Sequence, residues 1–535
     1  MRLHTFGSLG IISLALVALP GCGDDEDDDK KGSGGTAGNA GTAGTAGTAG
    51  SGGTAGTGAA GGTAGTGGTG AVGGTAGTGA AGGTAGTGGT AGTGGTAGTG
   101  GTAGTGGTAG TGGGTADEIT GTVTFPSGSA RFVSSAFDSA GNFYGAGFLK
   151  GANGDQYLFV ARQNPDGSSS AGWGSHGSGS FYLNVRAQPA GETTESVRSV
   201  LIQSDGKILL VGNVLTEDGT DADIVVVRVN GDGTLDTTFG TDGIATVSIN
   251  TTTGAANTRD NLYNAALDAN GNILLFGMTK AETRDDIDRF VARLTPAGAL
   301  DTTFNGTGKR IYGVDDLDLN DSVRNGFVQP DGKIMSAGYT AVGGNNEIVL
   351  ARFNADGSFD TSFSTDGIMR HAPIAPPGMA EAYSAVLHGT SYITTGYGRE
   401  AASGNPVDLV SFRYTADGSF DTTYASAGGI IWDLEGGDDR GRNAIVLPDG
   451  RVVHVGSATK DGKIQALVVI TDGDGALDPS FNGGQPKIYD FGSATEQAFF
   501  GLALSADGKW IGAAGYTVTT APNTDAAFLL LPTGL

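Results

Sequence analysis

Hydrophobic positions beyond residue 117 fall into short runs that recur in groups of four. One group reads Ser199-Val-Leu-Ile-Gln203, a turn at Ser204-Asp205-Gly206, then Lys207-Ile-Leu-Leu-Val-Gly212. A loop follows, then Asp223-Ile-Val-Val-Val-Arg228-Val229, a Gly-rich turn, Leu235-Asp236-Thr-Thr-Phe239-Gly240 and Gly243-Ile-Ala-Thr-Val-Ser-Ile249. Short β-rich runs bounded by Asp-Gly and similar turns predict four strands per unit. The first three runs are continuously apolar, as expected of strands covered on both faces. The fourth alternates, with Ile244, Val247 and Ile249 set against Thr246 and Ser248, which suits an outer edge.

The unit repeats. Its hairpin glycine returns as Gly141, Gly206, Gly271, Gly332, Gly389, Gly450 and Gly508, and a glycine closes each second strand at Gly147, Gly212, Gly277, Gly338, Gly396, Gly456 and Gly515. Seven copies of a four-stranded antiparallel unit, each unable to bury both faces alone, predict an all-β, seven-bladed β-propeller over residues 117–535. Coils of parallel β-helices are far shorter than these repeats, and separate four-stranded domains leave a sheet face bare. The last copy has only three strands, near residues 501–504, 509–515 and 526–531. Ile119, Gly121, Val123 and Phe125 form an extra alternating strand before the first copy. Residues 117–125 are therefore expected to complete the last blade and remove an exposed edge.

The residues that carry the repeat resemble the delta-60 repeat family of myxobacterial exported proteins. Phe353-Asn354-Ala355-Asp356-Gly357-Ser358-Phe359-Asp360 and Thr415-Ala416-Asp417-Gly418-Ser419-Phe420-Asp421 are close to that family's box. The resemblance implies propeller-forming repeats and no particular activity.

Composition divides the rest of the chain. The 102 glycines are concentrated in one block of nearly pure Gly, Thr and Ala over residues 32–116, with Val72 its only larger apolar residue. Such a segment buries too little to offset the cost of ordering and is expected to be a disordered tether. Its r.m.s. span is roughly 50 Å. Residues 1–21 read as a secretory signal, with Arg2 before an apolar run from Leu9 to Leu19 that is too short for a bilayer-spanning helix. Leu19-Pro20-Gly21-Cys22 resembles the lipobox of bacterial lipoproteins, and Cys22 is the only cysteine. The resemblance implies lipidation of Cys22, a membrane partner through that anchor, and an outer-membrane or cell-surface location. The acidic run Asp24 to Asp29 reads as a solvated spacer.

The formal charge is −25, and 49 acids against 27 bases fall in residues 117–535. A surface so acidic repels phosphate backbones, which excludes nucleic acid as an expected partner. His176, His371, His388 and His454 lie in four different copies without metal-ligand spacing, and no nucleophile-elbow serine or His-Glu-x-x-His motif is present. The turns at Asn230-Gly231-Asp232-Gly233 and Asp472-Gly473-Asp474-Gly475 resemble calcium loops in part, so calcium is the cofactor considered, with Asp232, Asp236, Asp474 and Asp478 as candidate ligands. They lack the third early ligand and the distal Glu of an EF-hand loop, and Asp-Gly is also ordinary hairpin chemistry. Arginine precedes the box aspartate by eight residues at Arg228 and Asp236, Arg293 and Asp301, Arg352 and Asp360, and Arg413 and Asp421, predicting an ion pair within the blade.

Antiparallel order gives the propeller two unlike faces. The turns joining strands one to two and three to four share one face, the turn face, and are stereotyped. The connections joining strands two to three and four to one share the other, the loop face, and vary in length and content, which is where recognition surfaces are usually built. Glu217, Asp218, Asp285, Asp286, Asp315, Asp316, Asp318, Asp438 and Asp439 make those loops acidic and poor in aromatics, favouring cationic groups or divalent metal. Three functions stay open: a binding or scaffold module displayed at the envelope as a monomer, a polysaccharide-active or other propeller enzyme using acids at the channel mouth, and a purely structural envelope protein.

Overall fold

The computed structural model describes residues 117–535, apart from the loop segments 126–127, 152–153, 187–194, 217–220, 251–259, 282–285, 315–319, 343–344, 401–403, 493–494 and 521–522 and the single positions 176 and 435. The signal, Cys22, the acidic run and the Gly/Thr/Ala block therefore lie outside the described residues.

Described strands assemble into seven four-stranded antiparallel sheets. The blade is a plain up-and-down meander. In blade two, Ser196–Ile202 pairs with Ile208–Leu215, which pairs with Ala222–Val229, which pairs with Ile244–Val247. Its inner strand packs between those of blades one and three, Ser129–Phe137 and Asn261–Leu267. The remaining inner strands are Asp321–Val328, Met379–His388, Asp439–Val446 and Gln497–Leu504, and the last returns to the first, closing the ring.

Continuous apolar runs have a direct structural meaning here. Successive residues of a strand point to opposite faces of the sheet, and in this ring each face meets another blade. Leu209, Val211, Ile224 and Val226 thus pack onto Leu262, Ile273, Leu275 and Phe290 of blade three. Their chain neighbours Ile208, Leu210, Val225 and Val227 pack the other way, against Tyr144, Leu158 and Val160 of blade one. Each such side chain contributes about 1.5–3 kcal/mol when fully buried. The short outer strands have one foot in solvent, hence their alternation.

The seventh blade takes its strands from both ends of the chain. Ile119–Val123 pairs with Asn523–Pro532 in the order Ile119 to Leu530 through Val123 to Ala526. Two strands of this blade run longer than the apolar runs suggest, as Trp510–Thr520 and Asn523–Pro532.

Adjacent blades are clasped at both faces by devices repeated around the ring. On the turn face, the box arginine donates Nε–H to its aspartate, at 2.7 Å for Arg228 and Asp236, Arg293 and Asp301, and Arg413 and Asp421, and 2.6 Å for Arg352 and Asp360. The same guanidinium then reaches the next blade, donating Nη1–H to the carbonyl of Pro296, Ala355, Ala416 and Gly473 respectively. Its flat face covers the box aromatic, with 4.6 Å from Arg228 to the Phe239 ring centre and 5.1 Å from Arg413 to that of Tyr424. The expected pair is therefore also a bolt between blades. Where Ile470 replaces the arginine, Arg451 of the first hairpin bonds Asp478 instead, at 2.8 Å.

On the loop face, a buried acid or amide at the start of the inner strand accepts backbone N–H groups from the chain arriving from the previous blade. Glu195 accepts Val185 and Arg186, Asp260 accepts Ile249 and Asn250, and Asp321 accepts Val314. Asp439 accepts Leu434, and Gln497 accepts Phe491. Burial pushes the carboxyls of Glu195, Asp260 and Asp439 up to about 7, against the pull of those backbone donors.

Candidate functional site

Every inner strand carries one irregularity, and it falls at the same place. The ladder with strand two skips a single residue: Val133, Arg198, Tyr263, Arg324, Tyr383, Arg442 and Phe500 in blades one to seven. A bulge leaves its extra residue unpaired and re-aims the side chain. The residue opposite the position just before each bulge is the strand-two glycine, from Gly147 and Gly212 to Gly515. A Cβ on that glycine would overlap the carbonyl oxygen of the bulging strand, from Arg131 and Ser196 in blades one and two to Ala498 in blade seven. The glycine thus makes room for the bulge, and the bulge sets what the channel presents.

These seven side chains line one cavity on the central axis, with about 90 Å³ of free volume. The bulges fall at or just before the middle of the inner strands, so the cavity lies part-way along the channel. Arginine and aromatic residues alternate around it. Arg324 lies 4.6 Å from the ring centre of Tyr263 and 4.7 Å from that of Tyr383. Arg442 lies 4.9 Å from Tyr383 and 5.2 Å from Phe500, and Arg198 lies 5.8 Å from Tyr263. Arg324 also donates Nη2–H to the Tyr339 hydroxyl at 3.0 Å. Burial pushes the Tyr339 phenol up to about 12, and that of Tyr383 higher still, so both stay protonated as donors across the neutral range.

One residue further along six of the seven inner strands, Ser or Asn side chains stitch blade to blade beneath this ring; the seventh has Gly501 there. Ser134 accepts the N–H of Val200, Ser199 that of Ala265, Asn264 that of Gly326, Asn325 that of Ala385, and Ser384 that of Ala444. Asn443 donates to the Phe500 carbonyl at 3.1 Å. The belt fixes the backbone from which the arginines and tyrosines project.

The carboxylates singled out from sequence are placed elsewhere. Asp232 accepts the N–H and hydroxyl of Thr234 in its own turn, and Asp236 is bonded by Thr238, Arg228 and Lys207. Hydrogen bonds from Thr238 hold Asp236 well below the usual carboxylate range, with Lys207 and Arg228 adding to the effect. Asp474 bonds Arg413 and Asp478 bonds Arg451, so three of these four candidate calcium ligands already face protein cations. Of the loop-face acids, Glu217, Asp218, Asp285, Asp315, Asp316 and Asp318 lie outside the described residues, as does His176. Asp286 and Asp439 are buried rather than presented to solvent, Asp439 because it clasps the incoming chain. Asp438 accepts the N–H of Val407 and pairs with Arg440 at 3.3 Å.

Among the described residues, one trio of carboxylates could share a cation. Ligand atoms of Asp408, Asp433 and Asp439 lie within 4.8 Å of one another at the loop-face end of blades five and six. Burial, with the charges of Asp433, Glu400 and Asp438, raises the Asp408 carboxyl to about 6. The described histidines are structural in their contacts: His388 meets the Gly450 carbonyl at 3.0 Å, His454 is enclosed between Thr395 and Thr471, and His371 packs on Phe420.

The acid-based view of the working face thus misses the channel ring. A signal was nonetheless present. In six of seven copies the bulge residue stands eight residues before the hairpin glycine, and in the fifth, six. Except for Val133 in the first copy, the bulge residue is a large polar or aromatic one.

The architecture is that of a seven-bladed β-propeller. A family model described as a domain of unknown function (DUF5122) beta-propeller matches residues 203–239 and 329–363, within two of the seven repeats. No curated protein matches the chain. Solved structures similar to it include polysaccharide lyase Uly1, with 11% identity, a TM-score of 0.45, and coverage of 76% of this chain and 90% of that one. A PL25 ulvan lyase has 11% identity, a TM-score of 0.43, and coverage of 72% and 91%. The β-propeller domain of the Trilobed protease from Pyrococcus furiosus has 10% identity, a TM-score of 0.40, and coverage of 76% and 94%.

Proposed function

We propose that this chain is an envelope lipoprotein of the delta-60 repeat type that displays its propeller as a binding module, with the central channel as the ligand site. The observation that carries the reading is the ring of Arg198, Tyr263, Arg324, Tyr383, Arg442 and Phe500 around one cavity. Arginine and tyrosine are the residues that dominate binding energy at recognition sites, because they join large rigid contact area to directed hydrogen bonds. The cavity walls carry no carboxylate among the described residues, which separates this site from an acid-catalysed centre at the channel mouth. The tether and the lipid on Cys22 hold the propeller at a membrane.

Two measurements test this. Changing Cys22 to Ser releases the protein from membranes into the soluble fraction, and a variant that stays acylated and membrane-bound overturns the anchor. The released full chain, immobilised, retains a component of envelope extracts that Arg324→Met and Tyr383→Ala each fail to retain. Retention unaffected by both variants places the binding surface elsewhere.

A further inference from the structure

We infer that the turn-face groove at the seam between blades four and five is a second binding site, which takes an uncharged sugar unit, a pyranose ring held through its hydroxyls and laid against Phe420. The site is separate from the central channel and goes beyond the reading given above.

Blade seams on the turn face repeat one plan, and the seam between blades three and four shows it filled. There Arg310 donates Nε–H to the Gly357 carbonyl at 2.7 Å, bonds Asn305 and covers the Phe359 ring at 4.8 Å. One seam on, the equivalent positions hold Met369 for Arg310, Ser364 for Asn305 and Phe420 for Phe359. No arginine plugs this seam, and a groove of about 560 Å³ opens beside Phe420. That volume falls within the range of roughly 300–1,000 Å³ typical of small-ligand sites. In three other copies the residue in Phe420's place is aliphatic, as Leu235, Leu300 and Leu477, and those seams offer no aromatic wall there.

The lining decides what enters. Thr361, Ser364 and Thr365 bring hydroxyls that bond nothing else among the described residues. Arg370 at the rim is met by Glu347 at 3.0 Å, and Asp417 accepts the hydroxyl of Thr415 and the N–H of Ser419. With both charges answered, the groove selects for hydroxyls rather than for an ion. Burial lowers the His371 imidazole from its ordinary value, so it stands neutral at pH 7. Its Nδ1 meets the Tyr414 hydroxyl at 3.4 Å, and Nε2 remains for a ligand. Phe420, with His371 4.5 Å away, supplies the apolar wall. A sugar ring has an apolar C–H face to pack on such a wall and hydroxyls at its edge to meet those of the groove.

Backbone strain marks the same place. Ser364 and Thr365 both take positive φ, 47° and 70°. At the step of Thr365, blades three and six have glycine, Gly306 at 73° and Gly483 at 66°. A β-branched residue in that conformation is costly, and such costs gather at ligand-binding positions. Threonine where glycine would fit adds a hydroxyl at the edge of the groove.

The experiment is saturation-transfer NMR on the full Cys22→Ser chain with the methyl glycosides of glucose, galactose, mannose and N-acetylglucosamine, and with sorbitol, which has the hydroxyls without the ring. Saturable binding of at least one glycoside tighter than about 10 mM is expected, and none of sorbitol. Ser364→Asn together with Met369→Arg restores the plug found one seam earlier. That double variant is expected to keep its melting temperature and to weaken binding about tenfold or more. Thr365→Gly removes the hydroxyl and the strain, raising the melting temperature while weakening binding, and gives a second reading should the double variant fail to fold. Lys509→Met, at an exposed position in the first hairpin of blade seven, leaves the affinity unchanged. Absence of saturable binding for all four glycosides overturns the inference, as does undiminished affinity in the groove variants. Sorbitol bound as tightly as the glycosides overturns the sugar ring as the recognised unit.

Discussion

At Asp360, one side chain answers to three donors in two places. Its carboxylate meets Arg352 at 2.6 Å, Lys333 at 2.7 Å and Ser362 at 2.7 Å, and those hydrogen bonds hold it far below the ordinary carboxylate range despite burial. Asp360→Asn leaves buried Arg352 without its anion and is expected to cost about 3 kcal/mol in urea denaturation. Acidity at the other face has the opposite sense. Glu195, Asp260 and Asp439 are raised to about 7 in the fold, so the folded protein binds protons that the unfolded chain has released. Their contribution is complete below the ordinary carboxylate range and is lost as pH rises through 7. His454, lowered to about 3 by burial, works against them, since stability falls as pH drops below its ordinary value near 6.5. Three carboxyls outweigh one imidazole over this range. The melting temperature is therefore expected to be higher at pH 5 than at pH 8, and Asp260→Asn to flatten the slope. A profile that rises steadily from pH 5 to pH 8 contradicts this balance.

At the scale of the strand, the bulge links what was legible in the sequence to what was not. The second-strand glycines stand out at once, because only glycine recurs there while its neighbours vary. Their purpose does not, since it concerns a carbonyl on the adjacent strand. The hairpins, the box and its arginine are likewise legible, being local in sequence and repeated. The channel ring escapes the same reading because a bulge breaks the two-residue period on which any inside-or-outside assignment depends. Arg324 in a regular strand would alternate with Val323 and face a blade; in the bulge it faces the axis. The clasp carboxylates escape for another reason. Asp321 and Asp439 look like loop-face acids by composition, and only their backbone partners reveal them as interior. Gly338→Ala drives a Cβ into the Ser322 carbonyl. It is expected to lower stability by about 3 kcal/mol or more and to weaken ligand retention at the channel together. Lost stability with unchanged retention separates the glycine from the ring.

For the whole molecule, the decisive contact joins the two ends. Ile119 and Val123 pack with Phe125 against Phe528, Leu530 and Phe159, across the seam between blades seven and one. Glu118 extends the join to blade six by accepting Lys487 at 2.6 Å. Deleting residues 117–125 bares the edge of Asn523–Pro532 and is expected to lower the melting temperature by more than about 10 °C and to promote association through that edge. A scanning-fluorimetry trace unmoved by the deletion shows that the seam does not support the ring. The closing strand also gives the molecule a direction. As the fourth strand of its blade, Ile119–Val123 runs from the turn face to the loop face, so the polypeptide enters the fold beside the rigid, repeated turns. Anything joined at Asp117 therefore sits on the side of the repeated turns, and the variable loops open on the opposite side.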